Sequence, residues 1–385
     1  MQCARPEPTF YEFFAGGGMA RAALTGTGWK CLFANDFDAK KVGAYVENWG
    51  DGEIHHGDVG KLTTKSLPAR PDLVWASFPC QDLSLAGGGA GLKGNRSGTF
   101  WPFWKLVQGL KKEGRAPTTV VLENVCGALT SHGGKDFQAI CQALSSERYL
   151  VGALVMDAAH FVPQSRPRLF VVGTLQDKSA ISSLIANEAR APWHTRALVA
   201  AQMALPKAIQ DKWVWWNIPA PARREKAFAD IVETSPNDQG WHTPAETQKL
   251  LAMMSQVNRK KVEAAKASGR LEVGTIYRRT RKEGDEKVQR AEVRFDDIAG
   301  CLRTPAGGSS RQILMFIKAD SVQTRLISAR ETARLMGLPD SYSLPTRYNE
   351  AYHLTGDGVA VPVVEYLSRT LLHATIAPEP ERLVA

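Results

Sequence analysis

Thr9-Phe10-Tyr11-Glu12-Phe13-Phe14-Ala15-Gly16-Gly17-Gly18 decides the fold. A short apolar run over residues 9–14 ends in a glycine-rich turn, and residues 19–24 then take up a helical pattern. Glycines in such a turn let a ligand approach the backbone closely, and the helix start behind them favours negative charge. The turn is not a G-x-G-x-x-G, because Arg21 stands where the third glycine would fall, and this weakens a dinucleotide reading.

Outward from this turn the rhythm repeats. Residues 29–35 are a second strand candidate and 39–49 a helix; 72–77, 119–123 and 169–173 are further strands. Strands alternating with helices of about ten or more residues predict βαβ units, hence an α/β fold, doubly wound around a mostly parallel sheet. From about residue 178 to about 295 the rhythm is lost, with Pro192, Pro206, Pro219, Pro221, Pro236 and Pro244 breaking it. Helical patterns return over 328–336 and 363–372. The expected division is a first domain over 1–177, a smaller irregular one over 178–300, and a stretch over 301–385 that holds the rest of the second domain's edge and the C-terminal helices that complete the first. Internal repeats and low-complexity tracts are absent.

Composition excludes several classes. Of 385 residues, 44% are hydrophobic and 23% charged, an ordinary globular balance that can bury a core without disulfides or a structural metal. No stretch reaches the roughly 20 apolar residues of a membrane span. The start, Met1-Gln2-Cys3-Ala4-Arg5-Pro6, lacks the apolar core of a signal peptide. Cys3, Cys31, Cys80, Cys126, Cys141 and Cys301 form no C-x-x-C pair, which suits free thiols in a reducing cytoplasm. No His, Cys and Asp cluster has metal-ligand spacing, and His55-His56 read as a surface turn, so no metal is expected. The net charge is +9, and 18 Lys and Arg against 12 Asp and Glu between Lys207 and Arg294 place +6 of it there. That segment also holds Trp213-Val214-Trp215-Trp216, Arg259-Lys260-Lys261 and Arg278-Arg279-Thr280-Arg281-Lys282. Aromatics interleaved with basic clusters suit a surface that grips phosphates and contacts bases. A solvated helix face beside a small tryptophan core has the same composition.

Two acids and a cysteine fall at expected strand ends. Asp36 closes the second strand about 20 residues after the turn, where an acid can bond the ribose hydroxyls of a nucleoside. Asp58, in Gly57-Asp58-Val59, would close a third strand and accept a bond from an exocyclic adenine amine. Taken singly, each could be a turn glycine or a helix-capping aspartate; three in register are harder to obtain by accident. Asp72–Ser77 runs into Phe78-Pro79-Cys80-Gln81, and Pro79 forces the chain out of the sheet, leaving the thiol at the carboxyl edge. The stretch from Gly87 to Gly98 that follows is glycine-rich and basic, as a lid over a substrate would be.

These residues, with Glu123-Asn124-Val125, Gln164-Ser165-Arg166-Pro167-Arg168, Arg325–Asp340 and Tyr352–Val363, occur in the order found in DNA cytosine-5 methyltransferases, and the chain resembles that family over roughly 9–175 and 300–372. The resemblance implies transfer of a methyl group from S-adenosylmethionine to a cytosine flipped out of double-stranded DNA, leaving S-adenosylhomocysteine. It implies Cys80 as the nucleophile at position 6, Glu123 as the group sharing a proton with ring nitrogen 3, and Arg166 and Arg168 as cations beside the base. The two arginines alternate in an extended segment, which predicts side chains on one face. Phe14, Ala15, Gly16, Gly18, Asp36, Phe37, Asp58, Val59, Pro79, Asp357 and Val359 would form the cofactor cleft, with Phe37 stacked near the adenine. Gln81, Ser84, Arg96, Arg278, Arg279, Arg281 and Lys282 would meet DNA, and the basic insert sits where the family keeps its target-recognition domain.

Two positions depart from the family pattern. Asp36 stands where Glu is usual, which shortens the reach to the ribose, and Gly356-Asp357 stands where Gly-Asn is usual. A transfer RNA methyltransferase of the same family and a catalytically silent nucleic-acid-binding module are the rivals. The long insert favours duplex DNA over RNA, and the joint presence of Cys80, Glu123 and Arg166 argues against the silent module. The enzyme is expected to be a cytoplasmic monomer of bacterial or phage origin, without membrane attachment, with a restriction endonuclease encoded separately as a partner.

Overall fold

The computed structural model describes residues 7–79, 99–233, 235–303 and 311–376. By contact density the chain divides into two units, the first from residues 1–157, 167–220 and 363–385, the second from 158–166 and 221–362.

The first unit is built on a seven-stranded sheet of β1 (Thr9–Phe13), β2 (Lys30–Asp36), β3 (Ile54–His56), β4 (Leu73–Ala76), β5 (Thr119–Val125), β6 (Leu150–Asp157) and β7 (Pro167–Thr174). The order is β3-β2-β1-β4-β5-β7-β6, and β7 alone runs antiparallel to its neighbours. Val74, Trp75, Val120, Val121, Leu122, Leu154 and Val172 are buried on both sides of their strands, so the strands read as continuous apolar runs instead of alternating ones. On one face, Tyr11, Phe13, Val74, Ala76, Val120 and Leu122 pack on α3 (Phe100–Lys112) and α4 (Lys135–Ser146) through Phe103, Trp104, Val107, Phe137 and Ile140. The helices after β1 and β2 are α1 (Met19–Gly26) and α2 (Ala39–Trp49); Asp38 caps the latter by accepting from the amides of Lys40 and Lys41 at 2.9 and 3.3 Å. The doubly wound, mostly parallel architecture is the one expected from the sequence.

Residues 178–220, expected with the irregular segment, pack in the first unit instead. The amide of Val151 donates to Lys212 O and that of Val214 to Val151 O, at 3.0 and 2.8 Å, which extends the sheet past β6. Two short strands, β8 (Ile185–Ala186) and β9 (Trp215–Trp216), pair beside it. Trp213 and Trp216 are buried there, so the tryptophan cluster is core. The periodicity missed this because a two-residue strand carries no detectable alternation. Gly152 makes the arrangement possible: a Cβ on it would lie 2.4 Å from Trp216 Nε1 and 2.5 Å from Val214 O.

The second unit has a four-stranded antiparallel sheet, β11-β10-β12-β13, from β10 (Glu272–Glu283), β11 (Glu286–Arg294), β12 (Ile313–Lys318) and β13 (Ser321–Leu326). Ile276, Ala291, Val293, Ile313, Met315 and Ile317 cover one face with Leu250 and Val262 from helices Pro244–Ala252 and Gln256–Ala267 and with Met254 from the link between them. A fully buried pair, Arg325 Nη2 to Glu331 Oε1 at 2.6 Å, joins β13 to helix Ala329–Leu335, whose capping box uses the same Glu331 with Ser328.

Gly152→Ala should destabilise the protein by about 1–3 kcal/mol, because the Val214 carbonyl cannot swing aside as a side chain can. Chemical denaturation of the variant checks this, and an unchanged midpoint would show that the edge of the sheet yields freely.

Candidate functional site

Strand order fixes where the site lies. Successive connections run outward from β1 to β2 and β3, then the chain returns to β4 on the other side, so β1 and β4 flank the switch point. Phe14–Gly18 leaves β1, Asp36 and Phe37 end β2, and Ser77-Phe78-Pro79 leaves β4. Asn124 is next to last in β5, and the antiparallel β7 begins at the same edge, with Arg168 opposite Val125.

The glycine turn is held by carboxylates. Asp36 is buried; its Oδ2 accepts the amide of Gly16 at 2.8 Å and its Oδ1 that of Asp38 at 2.9 Å. Phe14 and Gly18 adopt positive φ of 58° and 76°. At Gly18 a Cβ would also meet Trp49 Nε1 at 2.5 Å, so glycine is required twice over. Among the described residues beyond its chain neighbours, no atom lies within 4 Å of where a Cβ on Gly16 would stand, leaving its backbone open to a ligand. Phe37 is 70% exposed, an apolar ring standing bare beside a buried carboxylate, and Asp58 is exposed while its Oδ1 accepts the Gly60 amide at 2.8 Å. An open glycine backbone, an exposed aromatic face and two acids fit a nucleoside-bearing cofactor. Val59 behind them is buried.

Three supporting residues escaped the reading of the sequence. Asn35 Nδ2 donates to His55 O and Gly57 O, both at 2.9 Å, tying β2 to the turn that carries Asp58. Trp49 Nε1 donates to Gly17 O at 3.2 Å. Glu12, buried within β1, accepts the Arg21 amide at 3.3 Å through Oε1, while Oε2 has no hydrogen-bond partner among the described residues. Burial pushes Glu12 up to about 8, only partly offset by the Arg21 amide and guanidinium. A carboxylate in the apolar run Phe10–Phe14 was the available signal. The same Arg21 donates to Tyr45 Oη at 2.7 Å and Glu53 Oε2 at 3.1 Å, so the residue that breaks the dinucleotide pattern braces α1 against α2.

At the other side of the switch point, Asn124 Nδ2 donates to Phe78 O at 3.1 Å and Asn124 Oδ1 accepts the Val125 amide at 2.9 Å. Phe78 is buried against Phe100, ring centroids 5.2 Å apart, so the chain is anchored up to Pro79. Cys80, Gln81, Ser84 and Arg96, with the stretch from Gly87 to Gly98, lie outside the described residues. Glu123 and Arg168 meet diagonally across β5 and β7, Arg168 Nε to Glu123 Oε1 at 3.3 Å, with side chains 9% and 15% exposed. Burial raises the Cys31 and Cys126 thiols to about 12 and about 11 and also raises Cys141, so none of these three is an activated nucleophile.

Arg166 has different partners from Arg168. Its side chain is buried, with Nη1 donating to Leu302 O at 2.9 Å and Cys301 Sγ at 3.4 Å, and Nη2 donating to Gly356 O and Gly358 O at 2.8 and 2.6 Å. It therefore clamps the turn that carries Asp357 and Val359. Gln164, also buried, donates to Leu335 O at 2.8 Å and accepts the Leu302 amide at 3.1 Å. The basic cluster lies on β10: Arg279 and Arg281 approach Glu292 of β11, while Arg278 and Lys282 alternate with them along the strand. Among the described residues no group of three His, Cys, Asp or Glu is arranged to hold a metal, and no helix is long and apolar enough to cross a membrane.

A family model described as C-5 cytosine-specific DNA methylase matches residues 8–373. The chain is 26% identical to the type II methyltransferase M.BsuFI of Bacillus subtilis, over 97% of this chain and 75% of that one. To M.HpaII of Haemophilus parainfluenzae it is 25% identical, over 96% and 90%. Among solved structures, the Dnmt2 methyltransferase of S. pombe superposes with a TM-score of 0.60 at 17% identity, covering 96% of this chain and 99% of that one. The methyltransferase EhMeth of Entamoeba histolytica gives 0.61 at 13%, covering 97% and 98%; at such identities the likeness is one of fold.

Glu12 makes stability depend on pH. Its folded value lies above the ordinary carboxylate value, so the folded state binds a proton more tightly than the unfolded one. The associated stability is present in full below about 4.5 and is lost as pH rises to about 8. Glu12→Gln should abolish that loss, flattening thermal stability against pH across this window and leaving the variant more stable than the parent at pH 8. Parallel curves for the two proteins would show that Glu12 ionises normally.

Proposed function

The chain belongs to the C-5 cytosine-specific DNA methylase family, and from that premise we propose that Cys80 attacks position 6 of a cytosine swung out of a DNA duplex. S-adenosylmethionine-dependent methylation of cytosine is the activity of the family. The observation that carries the finer reading is the edge where Asn124 holds the Phe78 carbonyl and Glu123 is paired with Arg168 at 3.3 Å, because the chain leaves that edge straight into Pro79-Cys80.

Carbon 5 of cytosine is a poor nucleophile, so a direct transfer is slow. As the Cys80 thiol gives up its proton and a bond forms from Sγ to carbon 6, the ring's electrons move towards nitrogen 3. Glu123 shares a proton there and neutralises the developing charge, and carbon 5 becomes an enamine carbon. Arg168 keeps Glu123 in place and presents positive charge to the base carbonyl. S-adenosylmethionine, when bound, supplies a methyl group on a positively charged sulfur for carbon 5 to take. Loss of the proton from carbon 5 then releases the bond to Cys80. Reaching the base requires it to leave the stack, and the stretch from Gly87 to Gly98 is proposed to cover it.

Phe14, Ala15, Gly16, Gly18, Asp36, Phe37, Asp58, Val59 and Pro79 would hold the cofactor, with Asp36 and Asp58 towards the nucleoside. Asp357 and Val359 would contribute from the turn that Arg166 clamps, which makes Arg166 a positioning residue. Each oxygen of Asp36 has a second lone pair beyond the amide it accepts, so ribose binding and support of the turn are compatible. The enzyme would act as a monomer on double-stranded DNA, with Gln81, Ser84, Arg96 and the β10 cluster as contacts. Because its relatives are type II methyltransferases, a separately encoded restriction endonuclease would be its partner.

A duplex with 5-fluorocytosine at the target, incubated with S-adenosylmethionine, should leave a covalent adduct on Cys80, since fluorine cannot depart as a proton does. Peptide mass spectrometry detects it. Methylation by Cys80→Ala without an adduct would overturn the mechanism, and trapping on RNA alone would move the substrate to RNA. Asp36→Ala should raise the Kd for S-adenosylmethionine by about tenfold or more; unchanged calorimetric affinity in a folded variant would move the cofactor elsewhere.

A further inference from the structure

Resting on the DNA methylase reading, we infer that the outer half of the β10–β11 hairpin is a major-groove reader in which Arg281 and Arg279, oriented by Glu292, recognise guanine. Strand β10 pairs with β12 only from Glu272 to Ile276. Beyond that point residues 277–283 pair, among the described residues, with β11 residues 286–292, turned at Gly284 with φ of 60°; the buried Ala291 also donates its amide to Met253 O at 3.2 Å, so the two-stranded ribbon proper is 279–283 with 286–290. Five residues per strand make it about 15 Å long. A two-stranded ribbon is one of the few backbone shapes that the major groove of B-DNA, about 12 Å wide, admits. The deep, narrow major groove of RNA does not.

Alternation divides the basic cluster between the two faces. Tyr277, Arg279 and Arg281 lie opposite Glu292, Arg290 and Val288, whereas Arg278, Thr280 and Lys282 lie opposite Ala291, Gln289 and Lys287. On the first face Glu292 Oε1 accepts from Arg281 Nε at 2.6 Å and lies 2.5 Å from its Nη2, and Glu292 Oε2 lies 3.7 Å from Arg279 Nε. The Arg279 guanidinium stands 5.5 Å from the centre of the Tyr277 ring. The side chains of Arg279 and Arg281 remain 49% and 51% exposed.

This is the opposite of what a phosphate strip wants. A carboxylate between two arginines cancels part of the field that draws a polyanion, and the exposed ion pairs add little stability. What it supplies is orientation. Arg281 is gripped through Nε and one side of Nη2, so the remaining N–H groups of its planar fork face outward. A guanidinium edge of that kind bonds O6 and N7 of guanine together. Lys282 and Lys287, compact charges on the opposite face, suit the flanking phosphates.

Bisulfite sequencing of DNA methylated by the full-length enzyme and its variants tests this. The parent should methylate a motif containing guanine besides the target cytosine. Arg281→Ala should relax one guanine position, with discrimination against other bases falling roughly tenfold to a hundredfold. Arg281→Lys, which keeps the charge but loses the fork, and Glu292→Gln, which loosens the grip, should relax the same position. Lys282→Ala with Lys287→Ala should weaken binding to all sequences alike and lower its salt dependence. An unchanged motif with evenly weakened binding in Arg281→Ala and Arg281→Lys would overturn the base-reading role in favour of phosphate contact. Absence of 5-methylcytosine in DNA from the parent enzyme itself would overturn the DNA reading, and this inference with it.

Discussion

Strands β1 and β4 lie side by side while their onward connections leave in opposite directions, β1 towards β2 and β3, β4 towards β5. The connections that leave the carboxyl ends of β1 and β4 turn away from each other, and the chain returning from β3 enters β4 at its amino end, so neither leaving connection covers the carboxyl ends of the pair. The crevice at their carboxyl ends is a consequence of topology, open whatever the side chains are. The candidate site residues described in the first unit are arranged around it. The glycine turn leaves β1, Pro79 leaves β4, and the acids of β2 and β5 stand one strand further out on either side.

A crevice bounded by loops has to hold backbone in shapes that no sheet or helix ladder satisfies. Here buried side chains do it. Asp36 takes two amides, Asn35 gives to two carbonyls, and Asn124 bridges Phe78 and its own strand. In the second unit Arg166 gives to three carbonyls and Gln164 serves Leu335 and Leu302. Each is a short or planar polar group with enough donors and acceptors to close a turn without water, and removing one would leave buried backbone unpaired. Several conspicuous residues of the motifs are thus engaged in support, and at Asp36 the atoms that support the turn are the ones proposed to meet the cofactor.

The strands and their order of appearance were legible because long apolar runs between glycine and proline breaks leave few alternatives. The placement of Phe14–Gly18, Asp36, Asp58 and Glu123 at strand ends followed from that. Less legible was anything that depends on pairing. The side chains of Trp213 and Trp216 look like a nucleic-acid surface in composition, yet the neighbouring strand β6 has a glycine at position 152 that lets Trp216 in. The strict alternation of Arg166 and Arg168 suggested a common face, but the chain enters β7 at Pro167, and the two guanidiniums meet carbonyls in one case and Glu123 in the other. Glu12 was hidden by its setting: a lone acid inside an apolar strand reads as an exception until the helix amide it accepts is seen.

The surplus of positive charge between Lys207 and Arg294 illustrates how far a count can carry. Summed over residues 207–294 it says that a polyanion is welcome, and nothing more. Pairing changes its meaning, because the strand period places neighbouring charges on opposite faces and brings distant ones together. Glu292 is ten or more residues from Arg279 and Arg281 in sequence and would be counted as a subtraction from the patch. In the hairpin it is the group that fixes where their guanidiniums point. A charge that lowers affinity for any phosphate can raise discrimination between bases, since discrimination is a difference between two affinities and depends on geometry more than on field. In the proposed base-reading role, the carboxylate on β11 is the feature that would separate a surface that holds DNA from one that reads it.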